Sequence, residues 1–273
     1  GLALIWFPYT TVSWERCRIF GVLQRIAIVY FFAALSYVHL GTRARALLAA
    51  VLLAGYWAAM MLVPVPGFPS GDLTAEGNVA AHLDHLILGA HIWRYAPGPG
   101  DPEGLLSTVP AIVSALAGLF VGDWLRSARR ARRKVSGLIL FGALVTAAGL
   151  FLDRWFPINK NLWSPPYVLL SSGLAMICLA AIFVVDVAKR DRWALPFAIF
   201  GTNSILAYVG SGVMARLTTV IRWADGGGGT TTLQKWLYSH WFAPHLPAYW
   251  SSLAWALAYV AIWLAILRWL YRR

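Results

Sequence analysis

The chain has 273 residues, 59% of them hydrophobic and only 12% charged, with 15 tryptophans and two cysteines. A soluble domain carries about 25% charged residues, so that class is excluded, and two cysteines exclude a disulfide-built secreted scaffold. The net charge of +12 raises the question of nucleic acid, but RSARRARRK has no folded polar face around it, and no nucleic-acid partner is expected.

Apolar runs long enough to cross a hydrocarbon core of about 30 Å recur along the chain. In lipid every backbone group must be paired within its own segment, so apolar runs without strand alternation must be helices. The fold class is therefore all-α, a polytopic transmembrane helix bundle of about seven full spans plus a partial first helix. The spans are read at 20–40, 46–64, 106–125, 135–152, 166–187, 195–215 and 248–268. A stub at 1–8 precedes them: GLALIWFPY reads as the last turns of a helix. The expectation is a single transmembrane domain over 1–273, a fragment lacking earlier spans.

Charge sets the orientation. Every second connection is basic: Arg43 and Arg45, then Arg126 to Lys134, then Lys189 to Arg192, then Arg268, Arg272 and Arg273. These hold 14 of the 23 cations with three acids beside them, so that side sums to +11, whereas the remaining nine cations face eight acids. Such asymmetry is the positive-inside signature and puts the basic loops and C-terminus in the cytoplasm. Basic helix stops also favour anionic lipid headgroups, so membrane lipid is an expected partner. Abundant Ala, Arg and Leu with few Cys fit a bacterial inner membrane, and no disulfide between Cys17 and Cys178 is expected.

After the second full span, Pro64, Pro66 and Pro69 end the helix, and a polar stretch runs to Leu105. Loops of that length inside a compact protein are functional or disordered. This one carries His82, Asp84, His85, His91, Asp101 and Glu103, and the outer loop 65–105 is expected to fold back on the bundle. Two further outer segments follow, FPINKNLWSPPY at 156–167 and ADGGGGTTT at 224–232, the second a flexible linker by composition. LQKWLYSHWF after it reads as an interfacial helix.

Four constellations carry candidate chemistry. Asp84 and His91, seven apart, share a face on a continuous helix, and an aspartate that fixes a histidine tautomer makes a general base. Structural capping or interfacial packing is the plain alternative, and no metal site is expected, because the spacing of His82, Asp84, His85 and His91 does not demand one. Asp101 and Glu103 precede a span, where carboxylates complement the helix dipole, with Ser107 and Thr108 adding capping capacity. Arg16 and Arg18 read as interfacial snorkelling. Gln24 and Arg25 lie inside a span, where a charge faces the interior and needs either an acid such as Asp84 or a ligand. Asn159, Lys160 and Trp163 form the fourth group, with Lys160 expected to pair with Asp101 or Glu103, and Asn203 is expected to bond between helices.

Taken in order, RIFGVLQRIAIVY, PVPGFPSGDL, LDHLILGAHIWRY, DPEGLLSTVPAI, FPINKNLWSPPYVL and FGTNSILAYVG resemble the heparan-α-glucosaminide N-acetyltransferase family and its bacterial relatives. DPEGLLST and FPINKNLWS are the most specific, and Phe20 departs from the proline usual in the family. The resemblance implies a polytopic enzyme that takes acetyl from cytoplasmic acetyl-CoA and delivers it to an amino sugar of the glucosamine type on the other side, as a homodimer and without a metal. The matching positions are Arg18, Gly21, Gln24, Arg25, Asp84, His91, Asp101, Glu103, Asn159, Lys160, Trp163 and Asn203. It also implies that the acyl-accepting histidine lies in an earlier segment. Asp84 and His91 would then be catalytic, with the other polar positions binding sugar or acetyl-CoA. The alternative is a transporter of a small polar solute such as a sugar, which predicts polar residues near the midplane and a repeat symmetry. Here the polar residues gather at the outer end and no repeat is visible. A non-enzymatic scaffold would leave three polar loops without a use.

Overall fold

The computed structural model describes residues 15, 17–93, 98, 100–187, 191–225 and 229–272; the stub at 1–8 and Arg16 lie outside them. The helices are α1 (Val22–His39), α2 (Thr42–Leu62), α3 (Val79–Leu88), α4 (Leu105–Arg126), α5 (Ala131–Leu152), α6 (Pro165–Val187), α7 (Asp191–Thr202), α8 (Ser204–Val220), α9 (Leu233–Trp241) and α10 (Ala248–Tyr271). Six of them, α1, α2, α4, α5, α6 and α10, are long and apolar enough to cross a membrane, and α7 with α8 would make a seventh, bent span. Between 11% and 33% of each apolar stretch is buried inside the chain. The rest of each helix presents residues such as Phe31, Val38, Phe141 and Leu144 outward, as expected where lipid is the solvent. The fold is an all-α polytopic bundle.

The chain divides into two compact units, one running through α1–α6 and the other through α7–α10. In the first, α4 is central: α1, α2, α3 and α6 all pack on it, and it carries the largest buried share. A core of Tyr56, Met60, Ala80, Phe156 and Leu162 joins α2, α3 and the α5–α6 loop, and the Tyr56 hydroxyl donates to the Leu162 carbonyl at 2.6 Å. Helices α5 and α6 touch backbone to backbone. A Cβ at Gly142 would lie 2.8 Å from the Gly173 carbonyl oxygen, and a Cβ at Gly173 2.6 Å from that of Gly142. Lipid offers little hydrophobic drive between helices, so such close approach is what holds them.

In the second unit Ile199, Trp263 and Leu267 form the core, and the Tyr259 hydroxyl ties α10 to α8 through the Ser211 carbonyl at 2.6 Å. Three expectations are corrected here. The span read at 195–215 is broken at Asn203, with an 81° bend between α7 and α8. Among the described residues Asn203 makes no bond to a neighbouring span: its Nδ2 donates to the Ile199 carbonyl at 3.2 Å, and Thr202 Oγ1 donates to that of Ala198 at 2.9 Å. These side chains fold back on carbonyls of the preceding helical turn. The segment read as a linker forms an antiparallel pair, β1 (Arg222–Ala224) with β2 (Thr230–Thr232), closed by Asp225, whose Oδ1 accepts from the Gly229 N–H at 3.0 Å.

Gly173→Val should overlap backbone that cannot move aside and cost about 1–3 kcal/mol, read as a lowered thermal midpoint in detergent. Gly118→Val, where an added Cβ meets nothing within 4 Å, should leave the midpoint unchanged.

Candidate active site at the α3–α4 junction

Helix α3 begins at Asn78, whose Oδ1 accepts from the Ala81 N–H at 2.7 Å and whose Nδ2 donates to the Thr74 carbonyl at 2.6 Å. This cap fixes the rotation of α3 and turns Asp84 inward, where it is 2% exposed. Helix α4 starts at Gly104, which has no side chain to cap it. Asp84 does so from the neighbouring helix: its Oδ1 accepts from the Leu105 N–H at 2.8 Å and its Oδ2 from the Asp101 N–H at 3.1 Å. A methyl group at 104 would overlap the Asp84 carboxylate, so glycine is required for this approach. Burial pushes the Asp84 carboxyl above the usual carboxylate range, opposed by those two N–H bonds and by the Arg25 charge.

The neighbouring acids serve one arginine. Arg18 donates from Nε to Asp101 Oδ2 at 2.8 Å and from Nη2 to Asp101 Oδ1 and Glu103. Burial works against the Arg18 cation, but the hydrogen bonds and charges of Asp101 and Glu103 more than offset it, and its pKa is raised. Asp101 also accepts from the N–H groups of Trp93 and Glu103, each at 2.9 Å. The structure thus replaces two expectations: Arg18 is a bidentate ion-pair partner rather than a snorkelling side chain, and the acids at 101 and 103 hold it instead of capping α4.

Arg25 is 4% exposed and, among the described residues, makes no ion pair. Its Nη2 donates to Ser107 Oγ and to the Gly104 carbonyl at 3.3 Å, and its guanidinium lies 5.0 Å above the Trp163 ring. Its Nε and Nη1, like Gln24 Nε2, are buried without a partner in the described residues. Trp163 has a φ of 51°, a left-handed conformation that is strained for a bulky side chain. Its indole is held by Ser114 Oγ, which accepts from Nε1 at 3.1 Å. The loop below is built by Asn159, whose Oδ1 accepts from the Asn161 N–H at 2.8 Å, and by Ser164, which donates to the Pro157 carbonyl at 2.8 Å.

Asp84, Asp101, Ser107, Asn159 and Leu162 line one cavity of about 210 Å³. Arg25 reaches it through Ser107 and Trp163 through its own loop. The sequence candidates Arg18, Arg25, Asp84, Asp101, Glu103, Asn159 and Trp163 therefore converge, but two of the first unit do not join them as expected. Helix α3 ends at Leu88, with Gly89 at φ +54°, so His91 leaves the Asp84 face, and its Nδ1–H donates to the Cys17 carbonyl at 2.8 Å. That bond fixes the tautomer and leaves Nε2 as an acceptor. Lys160 is exposed and forms no ion pair among the described residues, because Arg18 already holds both acids. Asn203 belongs to the second unit. Among the described residues no three His, Cys, Asp or Glu side chains converge as metal ligands. Ser107 was read only as added capping capacity, and Ser114 went unread because it lies inside a span.

A polytopic helix bundle with a buried carboxylate and an unpaired buried guanidinium beside one cavity defines a membrane protein with chemistry built into its polar end. The chain is 31% identical over 252 residues to human heparan-alpha-glucosaminide N-acetyltransferase, a match covering 73% of this chain and 37% of that protein. It is 30% identical over 256 residues to the mouse protein of the same name, covering 74% and 38%. The chain belongs at family level with the heparan-α-glucosaminide N-acetyltransferases, and spans little more than a third of the length of these relatives. No family model matches it.

Two outcomes follow. Gly104→Ala should expel the Asp84 carboxylate and cost about 1–3 kcal/mol for each N–H left bare, seen as a lowered unfolding midpoint. Because the Asp84 pKa is raised on folding, its contribution to stability is full below the ordinary value of about 4 and is lost as pH rises through the raised one. The unfolding midpoint of the native chain relative to Asp84→Asn should fall across that window and level off above it; a flat difference would contradict the assignment.

Proposed function

We propose that this chain is part of a membrane acetyltransferase that moves acetyl from acetyl-CoA, on the side of the basic turns, to the amine of a glucosamine-type sugar on the other side. The membrane proposed is a bacterial inner membrane with the basic turns in the cytoplasm. The observation that carries the reading is the pair of buried opposite charges, Asp84 in the cavity lining and Arg25 one bond behind it on Ser107, with no ion pair between them. Addition of an amine to the acetyl carbonyl creates matching charges: a positive nitrogen that must lose a proton and a negative oxygen that needs donors. Each Asp84 oxygen keeps a lone pair after accepting its backbone N–H, and its raised pKa suits proton acceptance. Arg25 offers its unused N–H groups to the developing oxyanion, with Trp163 fixing the guanidinium plane. Collapse of the adduct re-forms the carbonyl and releases the CoA thiolate. His91 Nε2 can accept a proton in the same region, and Gln24, Asn159 and Lys160 are available for sugar hydroxyls.

The bend at Asn203 is the one feature that favours a transporter, since broken spans line substrate sites in that class. Transfer of labelled acetyl from acetyl-CoA to glucosamine, measured with the full-length protein, separates the two. Asp84→Asn should lower the rate by about 10²–10⁴-fold and Arg25→Gln by about 10²-fold. Glucosamine uptake into vesicles without acetylation would move the assignment to transport.

A further inference from the structure

We propose that the end of the first unit where the α1–α2 and α4–α5 turns meet is a phosphate-binding site, with Arg45 as its innermost donor. The turns are joined by Arg45, in the first turn of α2, whose Nη2 donates to Asp123 Oδ2 of α4 at 2.9 Å and to Thr42 Oγ1 at 3.3 Å. Tyr37, from the end of α1, donates to Asp123 Oδ1 at 3.4 Å, and the Arg45 guanidinium lies 4.8 Å from the Tyr37 ring. Arg45 was read from sequence as a loop cation. It is instead 5% exposed, and its Nε and Nη1 have no partner among the described residues.

The contrast with Arg18 shows what is missing. Arg18 is shared by two carboxylates, whereas Arg45 has only Asp123, whose side chain is one-third exposed. Asp123 is also the sole acid in these two turns, against eight cationic side chains. Among the described residues, Arg43, Arg126 and the run at 130–134 form no ion pair. The α4–α5 turn is braced rather than loose: Trp124 Nε1 donates to the Lys134 carbonyl at 3.1 Å, and Arg129 is laid over the Trp124 ring at 4.3 Å. A buried guanidinium with spare donors, beside a braced turn rich in exposed arginines, suits an anion with several oxygens and more than one charge. Phosphate meets that demand, and arginine forks match its geometry. The cluster caps the ends of apolar helices, so the phosphate sits at a bilayer surface. It comes either from an anionic lipid headgroup or from a nucleotide; the nucleotide source rests on the acetyl-CoA reading above, and the headgroup source does not.

The test uses the full chain in nanodiscs. One probe is adenosine 3′,5′-bisphosphate, titrated in phosphatidylcholine discs; the other is the thermal shift on replacing part of the phosphatidylcholine with phosphatidylglycerol. Arg126→Gln with Arg129→Gln changes exposed or stacked cations and should weaken the responding probe about ten- to thirty-fold. Arg45→Gln alone would strand Asp123, so it is paired with Asp123→Asn, and that double variant should weaken the same probe by at least as much. Saturable nucleotide binding assigns the phosphate to a soluble ligand; a phosphatidylglycerol shift that the variants abolish assigns it to lipid. Neither probe binding, or binding unchanged in both double variants, overturns the site. Asp84→Asn should leave both probes unaffected, so failure of the acetyl-transfer reading would not be mistaken for failure here.

Discussion

The polar end of the first unit hangs on a carboxylate that caps a helix other than its own. Asp84 takes the Leu105 and Asp101 N–H groups, which would otherwise be buried bare at about 1–3 kcal/mol each. One side chain thus sets the distance between α3 and α4, excludes a side chain at 104, and closes the turn that carries Asp101 and Glu103. Those two acids, released from capping, are free to grip Arg18 and so anchor the segment leading into α1.

That division of labour explains the uneven treatment of two arginines seven residues apart. Arg18 is over-supplied with carboxylate, while Arg25 receives only hydroxyl and carbonyl oxygens and an aromatic face. Burying a guanidinium without an acid is costly unless something else completes it. The surrounding fold carries that cost, along with the left-handed backbone of Trp163, and both adjoin lining residues of the same cavity, Ser107 and Leu162. Strain and missing charge found together support the active-site reading proposed for this cavity.

Much of this was legible in the sequence. Span positions followed from apolar run length, and Arg25, Asp84, Asp101, Glu103, Asn159 and Trp163 stood out because polar residues near apolar runs need reasons. What periodicity could not reveal was where regularity stops. Gly89 ends α3 before His91, so a seven-residue spacing read as one helical face places the histidine elsewhere. Asn203 breaks a run whose hydropathy is continuous. Pairing was harder still: the sequence reading gave Asp101 or Glu103 to Lys160 and set Arg18 at the interface, and only the fold shows Arg18 holding both acids. Arg45 was missed because a cation beside a turn looks solvated until its helix is seen to begin three residues earlier.

The break at Asn203 also makes this part of the chain sensitive to its surroundings. In water, an interrupted helix loses little, because solvent bonds the open carbonyls. In hydrocarbon each unpaired polar group costs several kcal/mol, and the Thr202 hydroxyl and Asn203 amide find their acceptors in the carbonyls of Ala198 and Ile199. Those carbonyls stand in for solvent as partners of the two side chains, so the worth of the bonds is set by the medium as much as by the fold. The same residues can therefore be nearly idle in a hydrated micelle and indispensable in a bilayer.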